Sequence, residues 1–343
     1  VEQDAEHLKT HYLSWIYELG LAQSNGRSVI QTLMMRPGFS AWWLSLMAEK
    51  SQWKSRQMYS VLRLMALDRF LGQHKIRNLT VNLKNSQVLQ CLQHWAGHNQ
   101  IPIQMVNSRF NQNKKGRDAF LLLPYPLQAA GALVRFFIKR WRLAGSRIRR
   151  NRKTPRAGVC FIAPFFNCRP DDQGRFYSNY WTRLHHVLAE SKQDTLIQWL
   201  HLYIDPNNTM RAGQALEKLK GFNRSAPDNQ AHLFFESELG GRTLLKALAD
   251  YFRLCIAGLT IKRPEAFFSI GRSGLNVWPL MRHDWQDSLT GRTAMTNCLF
   301  FNLFEQLLEK MPVQKKGWYL LENQAWEKAL IYCWKKAGHG TLH

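Results

Sequence analysis

The sequence lacks the spacings that announce the commonest chemistries. Its six cysteines stand at 91, 160, 168, 255, 298 and 333, with no C-x-x-C pair and no nearby Cys/His quartet. That excludes a zinc finger and fits buried free thiols in a reducing cytoplasm. No G-x-G-x-x-G follows a strand pattern and no G-x-x-x-x-G-K-[ST] occurs, which removes the simple dinucleotide and P-loop readings; GRSG at 271–274 is too short to restore either. H-E-x-x-H and G-x-S-x-G are also missing, so zinc-protease and common hydrolase chemistry have no support. The opening VEQDAEHLKT has neither the charged nor the apolar region of a secretory signal. Acidic residues are scarce, 24 against 47 lysines and arginines, a formal charge of +23. A field of that sign gathers anions: nucleic acid, phospholipid headgroups or phosphate-bearing substrates.

What is present is a chain of 343 residues, 45% hydrophobic, long enough for one large domain or two ordinary ones. The basic excess is concentrated in KRWRLAGSRIRRNRKTPR, residues 139–156, where nine of 18 positions are Lys or Arg and none is acidic. Just before it, FLLLPYPLQAAGALVRFFI (120–138) is interrupted by Pro124, Pro126, Gln128 and Arg135, so its clean portion is too short to span a bilayer. An interfacial helix is the expectation. Leu127, Leu133, Val134, Phe136, Phe137 and Ile138 would enter the acyl boundary while Arg140, Arg142, Arg147, Arg149, Arg150, Arg152 and Lys153 hold anionic headgroups. A buried helix followed by a solvated basic loop is the alternative. Nucleic acid is less favoured, because no reader module with stacking aromatics adjoins the cluster.

On either side the pattern is α/β. LTVNL at 79–83, a helical run at 86–98 and IPIQMV at 101–106 make one βαβ unit. Further strands are predicted at 158–163, 195–203, 232–236 and 317–321, with helices at about 176–191, 209–221, 242–258, 291–310 and 323–337. Such alternation predicts a Rossmann-like parallel sheet flanked by helices. The expected organisation is a helical segment over 1–75, an α/β domain over 76–316 with an inserted apolar and basic helix at 120–156, and a connection over 317–343.

In an open parallel sheet ligands bind beyond the carboxyl ends of the strands. The polar residues at those ends include Asn167, Asp171, Asp172, His201, Glu236, Glu322 and Asn323. FNCRPDDQGRFYSNYW, 166–181, sets the Asp171–Asp172 pair beside Ser178, Tyr180 and Trp181, a combination suited to sugars: carboxylates accept hydroxyl hydrogen bonds and flat rings cover the apolar sugar face. FSAWWLSLMAEKSQWKS, 39–55, places Trp42, Trp43 and Trp53 around Glu49 and Lys50, with Ser40 as an N-cap. An aromatic core anchor with a surface ion pair is the plainer reading of that stretch. No D-x-D pair marks a metal site.

FSAWWLSLMAEKSQWKS, FYSNYWTRLHHVL, IQWLHLY, NVWPLMRHDWQDSLTG and YLLENQAWEKALIYCWKKAGHG together resemble, in that order, a family of bacterial surface carbohydrate biosynthesis proteins of the O-antigen, lipopolysaccharide and related polysaccharide type. The resemblance implies the N-terminal portion of a GT-B-like glycosyltransferase, with a nucleotide-activated sugar as donor substrate, no tightly bound cofactor, and a lipid-linked glycan acceptor at the inner face of the cytoplasmic membrane. It further implies that the chain turns at Gly338 and Gly340 into a second Rossmann-like domain, TLH opening its first strand. Glu322 is the first choice for catalytic carboxylate, with Asp171, Asp172, Glu236 and His201 behind it, one of them a general base. Asn167, Ser178, Tyr180, Trp181, Asn323, Trp326, Glu49 and Lys50 are the expected substrate contacts. A basic nucleic-acid-binding protein and a non-catalytic scaffold of a polysaccharide assembly complex remain open alternatives.

Overall fold

A computed structural model describes residues 4–343 except 50, 52, 56, 75, 107–118, 147–157, 191–194 and 205–209. Along the chain the helices of nine residues or more are α1 (Ala5–Leu21), α2 (Gln57–Gly72), α3 (Ser86–His98), α4 (Tyr125–Arg140), α5 (Thr182–Glu190), α6 (Ala212–Ser225), α7 (Gly241–Thr260), α8 (Trp278–Thr290), α9 (Arg292–Lys310) and α10 (Ala325–Lys336). The strands discussed below are β1 (Leu79–Val81), β2 (Ile103–Met105), β3 (Gly158–Pro164), β4 (Cys168–Pro170), β5 (Phe176–Ser178), β6 (Ile197–Leu202), β7 (Gln230–Phe234), β8 (Gln314–Tyr319) and β9 (Thr341–Leu342). The chain divides into two compact units, one of Val1–Ala130, Asp250–Ala294 and Asn323–Ala325, the other of Gly131–Ala249, Met295–Glu322 and Trp326–His343. The division falls at neither 75 nor 316.

The first unit is mainly helical. Its core is aromatic: Trp15 meets Phe268 edge-on at 6.2 Å, Phe268 packs on Trp278 and Trp285, and Trp42 lies 6.5 Å from Trp285. Ser40 caps a short helix as expected, its Oγ accepting the Trp42 N–H at 3.2 Å. Glu49 is buried, and its partner is Lys54 at 3.1 Å. The predicted βαβ unit is present, with Asn85 capping α3 and β1 pairing β2 in parallel register. Those two strands form a sheet of their own and do not join the larger one. Three residues each and largely exposed, they have too little apolar surface to be buried on both faces, as strands inside a parallel sheet are.

The second unit holds a five-stranded parallel sheet in the order β7-β6-β3-β8-β9. Counted along the chain this is 3-2-1-4-5, the order of a doubly wound sheet, with the direction of winding reversing between β3 and β8. β6 is buried throughout and β3 nearly so, which is why both read as near-continuous apolar runs. One sheet face carries Phe161, Ile197, Trp199 and Phe234 against Leu219 and Phe222 of α6 and Trp181, Leu184 and Leu188. Across that face runs a row of stacked rings, one from each strand or its end: His232, Trp199, Phe161, Trp318 and His343, with centroid spacings of 6.2, 4.7, 5.1 and 5.7 Å.

Specific contacts hold both flanks of the sheet. At the β7 flank, the Asn223 side chain accepts the His232 N–H at 2.8 Å and donates to the His232 carbonyl at 2.9 Å, standing in for a neighbouring strand. Ser146 Oγ accepts the Phe234 N–H beside it. At the other flank α10 ends on Gly338 in the left-handed region (φ 74°), with the His339 N–H bonded back to Trp334 O. Gly340 then passes so close to β8 that a Cβ there would come within 2.0 Å of Lys315 O. Where the resemblance implies the first strand of another domain, Thr341 and Leu342 pair in parallel with Lys316 and Gly317 as a strand of this sheet.

Candidate functional site

The reversal of winding leaves a gap between the crossovers at the carboxyl ends of β3 and β8, where ligands of doubly wound sheets bind. Ile162 pairs with Tyr319, so the two strands end at about the same level. β3 runs out into Phe165, Phe166 and Asn167, and β8 into Leu320, Leu321 and Glu322. Glu322 is exposed, and its backbone N–H donates to Oε1 of the buried Glu327 at 2.7 Å, which anchors the loop to the first turn of α10. Asn323 follows at φ 56°, a left-handed conformation that asparagine tolerates better than most residues.

On the β3 side the chain makes the β4–β5 hairpin before α5. Asn167 is clasped by Asn179, whose N–H donates to the Asn167 carbonyl at 3.1 Å and whose amide donates to Asn167 Oδ1 at 2.9 Å. Phe166 and Tyr180 flank this pair, both exposed, edge to face at 6.2 Å. Trp181 is half-buried against Phe161 and Trp199 and serves the core. Ser178 is buried; its Oγ accepts the Tyr180 N–H and its own N–H donates to His185 Nε2 at 2.8 Å. Burial holds His185 below the ordinary histidine pKa, which keeps that nitrogen an acceptor.

The remaining predicted residues lie elsewhere. Asp171 Oδ1 accepts the N–H groups of Gln173 and Arg175, at 3.0 and 2.7 Å, so it ties the hairpin turn; Asp172 is exposed on the same turn. His201 is fully buried inside the sheet, its Nε2 3.1 Å from His232 Nδ1. Desolvation, followed by the charge of His232, pushes the His201 pKa well down, and desolvation with the charge of His185 lowers that of His232, so both rings are neutral. Glu236 lies beyond β7, three strand positions from β8 and so about 14 Å across the sheet. It is fully buried and paired with Arg140; burial raises its pKa, and the guanidinium works against that rise. Trp326 is buried against Phe304, ring planes 25° apart. Glu49 belongs to the first unit's interior, and Lys50 lies outside the described residues. Asn167 and Glu322 therefore border the winding reversal, with Asn323 next in the chain and Tyr180 beside Asn167, whereas His201, Glu236, Trp326 and Glu49 are interior.

Helix α4 turns Leu127, Val134, Phe137 and Ile138 outward, with Trp141 continuing the stripe, whereas Phe136 is buried against Phe300 and Leu133 is half-buried. Arg140 corrects the headgroup assignment: it faces inward to Glu236 and lies over the rings of Phe136 and Tyr203, at 4.9 and 5.4 Å. Arg142 is exposed beside Trp141; Arg147, Arg149, Arg150, Arg152 and Lys153 lie outside the described residues.

Sequence reasoning missed Phe166 and Asn179 as parts of the site. Both stand inside the motif quoted for this loop, but only the hairpin pairing of Cys168 with Ser178 brings Asn179 back onto Asn167. Among the described residues no cluster of three His, Cys, Asp or Glu side chains is arranged to hold a metal. No helix of the described residues is long and apolar enough to cross a membrane. The fold and site define an α/β protein with a doubly wound parallel sheet and a polar and aromatic rim at its winding reversal. No protein-family model, no curated protein and no solved structure matches the chain.

Proposed function

We propose that this protein is a membrane-peripheral glycosyltransferase of GT-B type, or the acceptor-side part of one, transferring sugar from a nucleotide-activated donor to a lipid-linked glycan. The observation that carries the reading is that the exposed Glu322 and the Asn167–Asn179 pair, with Phe166 and Tyr180 beside the latter, follow the carboxyl ends of the two strands that flank the winding reversal. A carboxylate, amide groups and two open ring faces or edges are what a sugar ring needs: polar groups for its hydroxyls and aromatic surface for its C–H face. In this reading Glu322 is the general base that takes the proton of the acceptor hydroxyl as its oxygen attacks the anomeric carbon, while the nucleoside diphosphate leaves. The basic excess of the chain favours that anionic donor and product. Val134, Ile138 and Trp141, flanked by Arg135, Lys139 and Arg142, suit an interfacial helix on the cytoplasmic leaflet. The test is a transfer assay with a panel of nucleotide sugars and polyprenyl-linked acceptors. Glu322→Gln is expected to lower kcat about a hundredfold or more while leaving donor binding intact. Unchanged turnover in that variant removes Glu322 from the chemistry. If neither a nucleotide sugar nor a glycan acceptor perturbs the resonances of Phe166 or Tyr180, the site reading falls.

A further inference from the structure

Helix α7 carries an outward apolar stripe that plays no part in the site above. Leu245, Phe252, Ile256 and Leu259 are 70, 59, 64 and 81% exposed. Their spacings of seven, four and three residues put them on one side of the helix, while Thr243, Ala247, Tyr251 and Leu254 are buried on the other. Single exposed apolar residues are ordinary on a protein surface, but a row of four large ones is not. The exposed charges on the helix and its exit are mostly basic, with Glu265 the acidic neighbour just beyond. From 241 to 264 the only acidic residue is Asp250, which is buried and held by both Arg36 guanidinium nitrogens at 2.9 and 2.8 Å. Arg242, Arg253, Lys262 and Arg263 remain exposed.

We propose that this face, centred on Phe252, Ile256 and Leu259 with Arg253, Lys262 and Arg263 beside them, docks on an anionic lipid bilayer. The apolar side chains enter the boundary between headgroups and acyl chains, and the basic ones lie among the headgroup phosphates. Arg253 lies 3.7 Å from Asp250 at its base but keeps 78% of its side chain exposed. Such a layout, large apolar residues on one side and exposed basic residues next to them, is that of an interfacial helix. A second copy is a poorer occupant, because antiparallel pairing of two such faces sets basic residues against basic residues. The inference adds a second contact to the membrane reading made for α4 and does not depend on sugar transfer.

The full chain is floated with phosphatidylcholine vesicles with and without phosphatidylglycerol, beside two variants. One is Phe252→Ser with Ile256→Ser; the other, Val134→Ser with Ile138→Ser, alters α4. The expected result is binding to anionic vesicles only, weakened at least tenfold by the α7 pair, with unchanged melting temperature because the altered side chains are solvated. In a third variant, Phe252→Trp, lipids brominated near the headgroup should quench more emission than in the parent. Binding of the α7 pair within twofold of the parent, or no added quenching, overturns the inference. If only the α4 pair loses binding, the α4 reading survives and this one falls; if only the α7 pair does, the reverse holds. Failure of the parent to bind any vesicle removes both, as does capture of this face by an acidic amphipathic peptide without vesicle binding.

Discussion

Arg140 shows how one residue can be chemically legible and positionally misleading. Its place at the head of a basic run suggests a headgroup contact, yet it lies 19% exposed between Phe136 and Tyr203 and neutralises the fully buried Glu236. Nothing in a local window separates it from Arg142 two residues on, because the partner is 96 residues distant. Removing the guanidinium alone strands a buried carboxylate, so Arg140→Met should destabilise the protein by about 3 kcal/mol. Adding Glu236→Gln should recover most of the loss, since a neutral amide in that position no longer needs a counter-charge. Urea unfolding of the single and double variants measures both, and additive losses would contradict the pairing. Glu322 and Asn167, by contrast, were legible as strand-end residues, because strand ends follow from hydrophobic runs that the sequence displays openly.

At the scale of elements, the long apolar strands and the amphipathic helices appear close to where periodicity puts them: β3, β6, β7, β8 and α6 to α10 except α8. Apart from α8, the exceptions are short elements. A helix was expected from about 176, but Phe176–Ser178 is a strand, paired to Cys168–Pro170 across a turn that Asp171 and Gly174 (φ 74°) create. Three-residue strands bury too little to leave a period. Nor was β9 visible as part of this sheet, since its pairing is fixed by close approach at two glycines: a Cβ on Gly340 would meet the Lys315 carbonyl oxygen at 2.0 Å, and one on Gly317 the Trp334 ring at 2.6 Å. Gly340→Ala should therefore detach or displace β9. The expected reading is faster amide exchange at Gly317 and Tyr319, whose partners are on the β9 segment, and a melting temperature lower by several degrees. Unaltered exchange at those amides would show that the strand accommodates the methyl group.

For the molecule as a whole, the division into two discontinuous units was beyond local reading, because each is assembled from segments far apart in the chain. The sheet-bearing unit also sets a pH dependence. His201 and His232 are buried and neutral, the first held well below its usual pKa and the second pushed down to about 3, both chiefly by desolvation. The unfolded chain takes up these protons near the ordinary 6.5. Stability is accordingly full above that pH and falls as pH drops from 6.5 towards 3, each ring contributing about 1.4 kcal/mol per pH unit. Glu236, whose raised pKa lets the folded state take up a proton first, opposes part of this fall. Urea midpoints should decline steadily between pH 6.5 and 5, and more gently in His201→Leu; a flat profile would mean the rings are not neutral in the native state.

The row of five rings crossing the sheet has a further consequence for the rim where Glu322 and Asn167 stand. Because a pleated strand alternates its side chains, a slip of one residue by β3 or β8 would swing Phe161 or Trp318 to the opposite side and break the stack. The rings thus act as a vernier, fixing the offset of each strand from its neighbours from within the core.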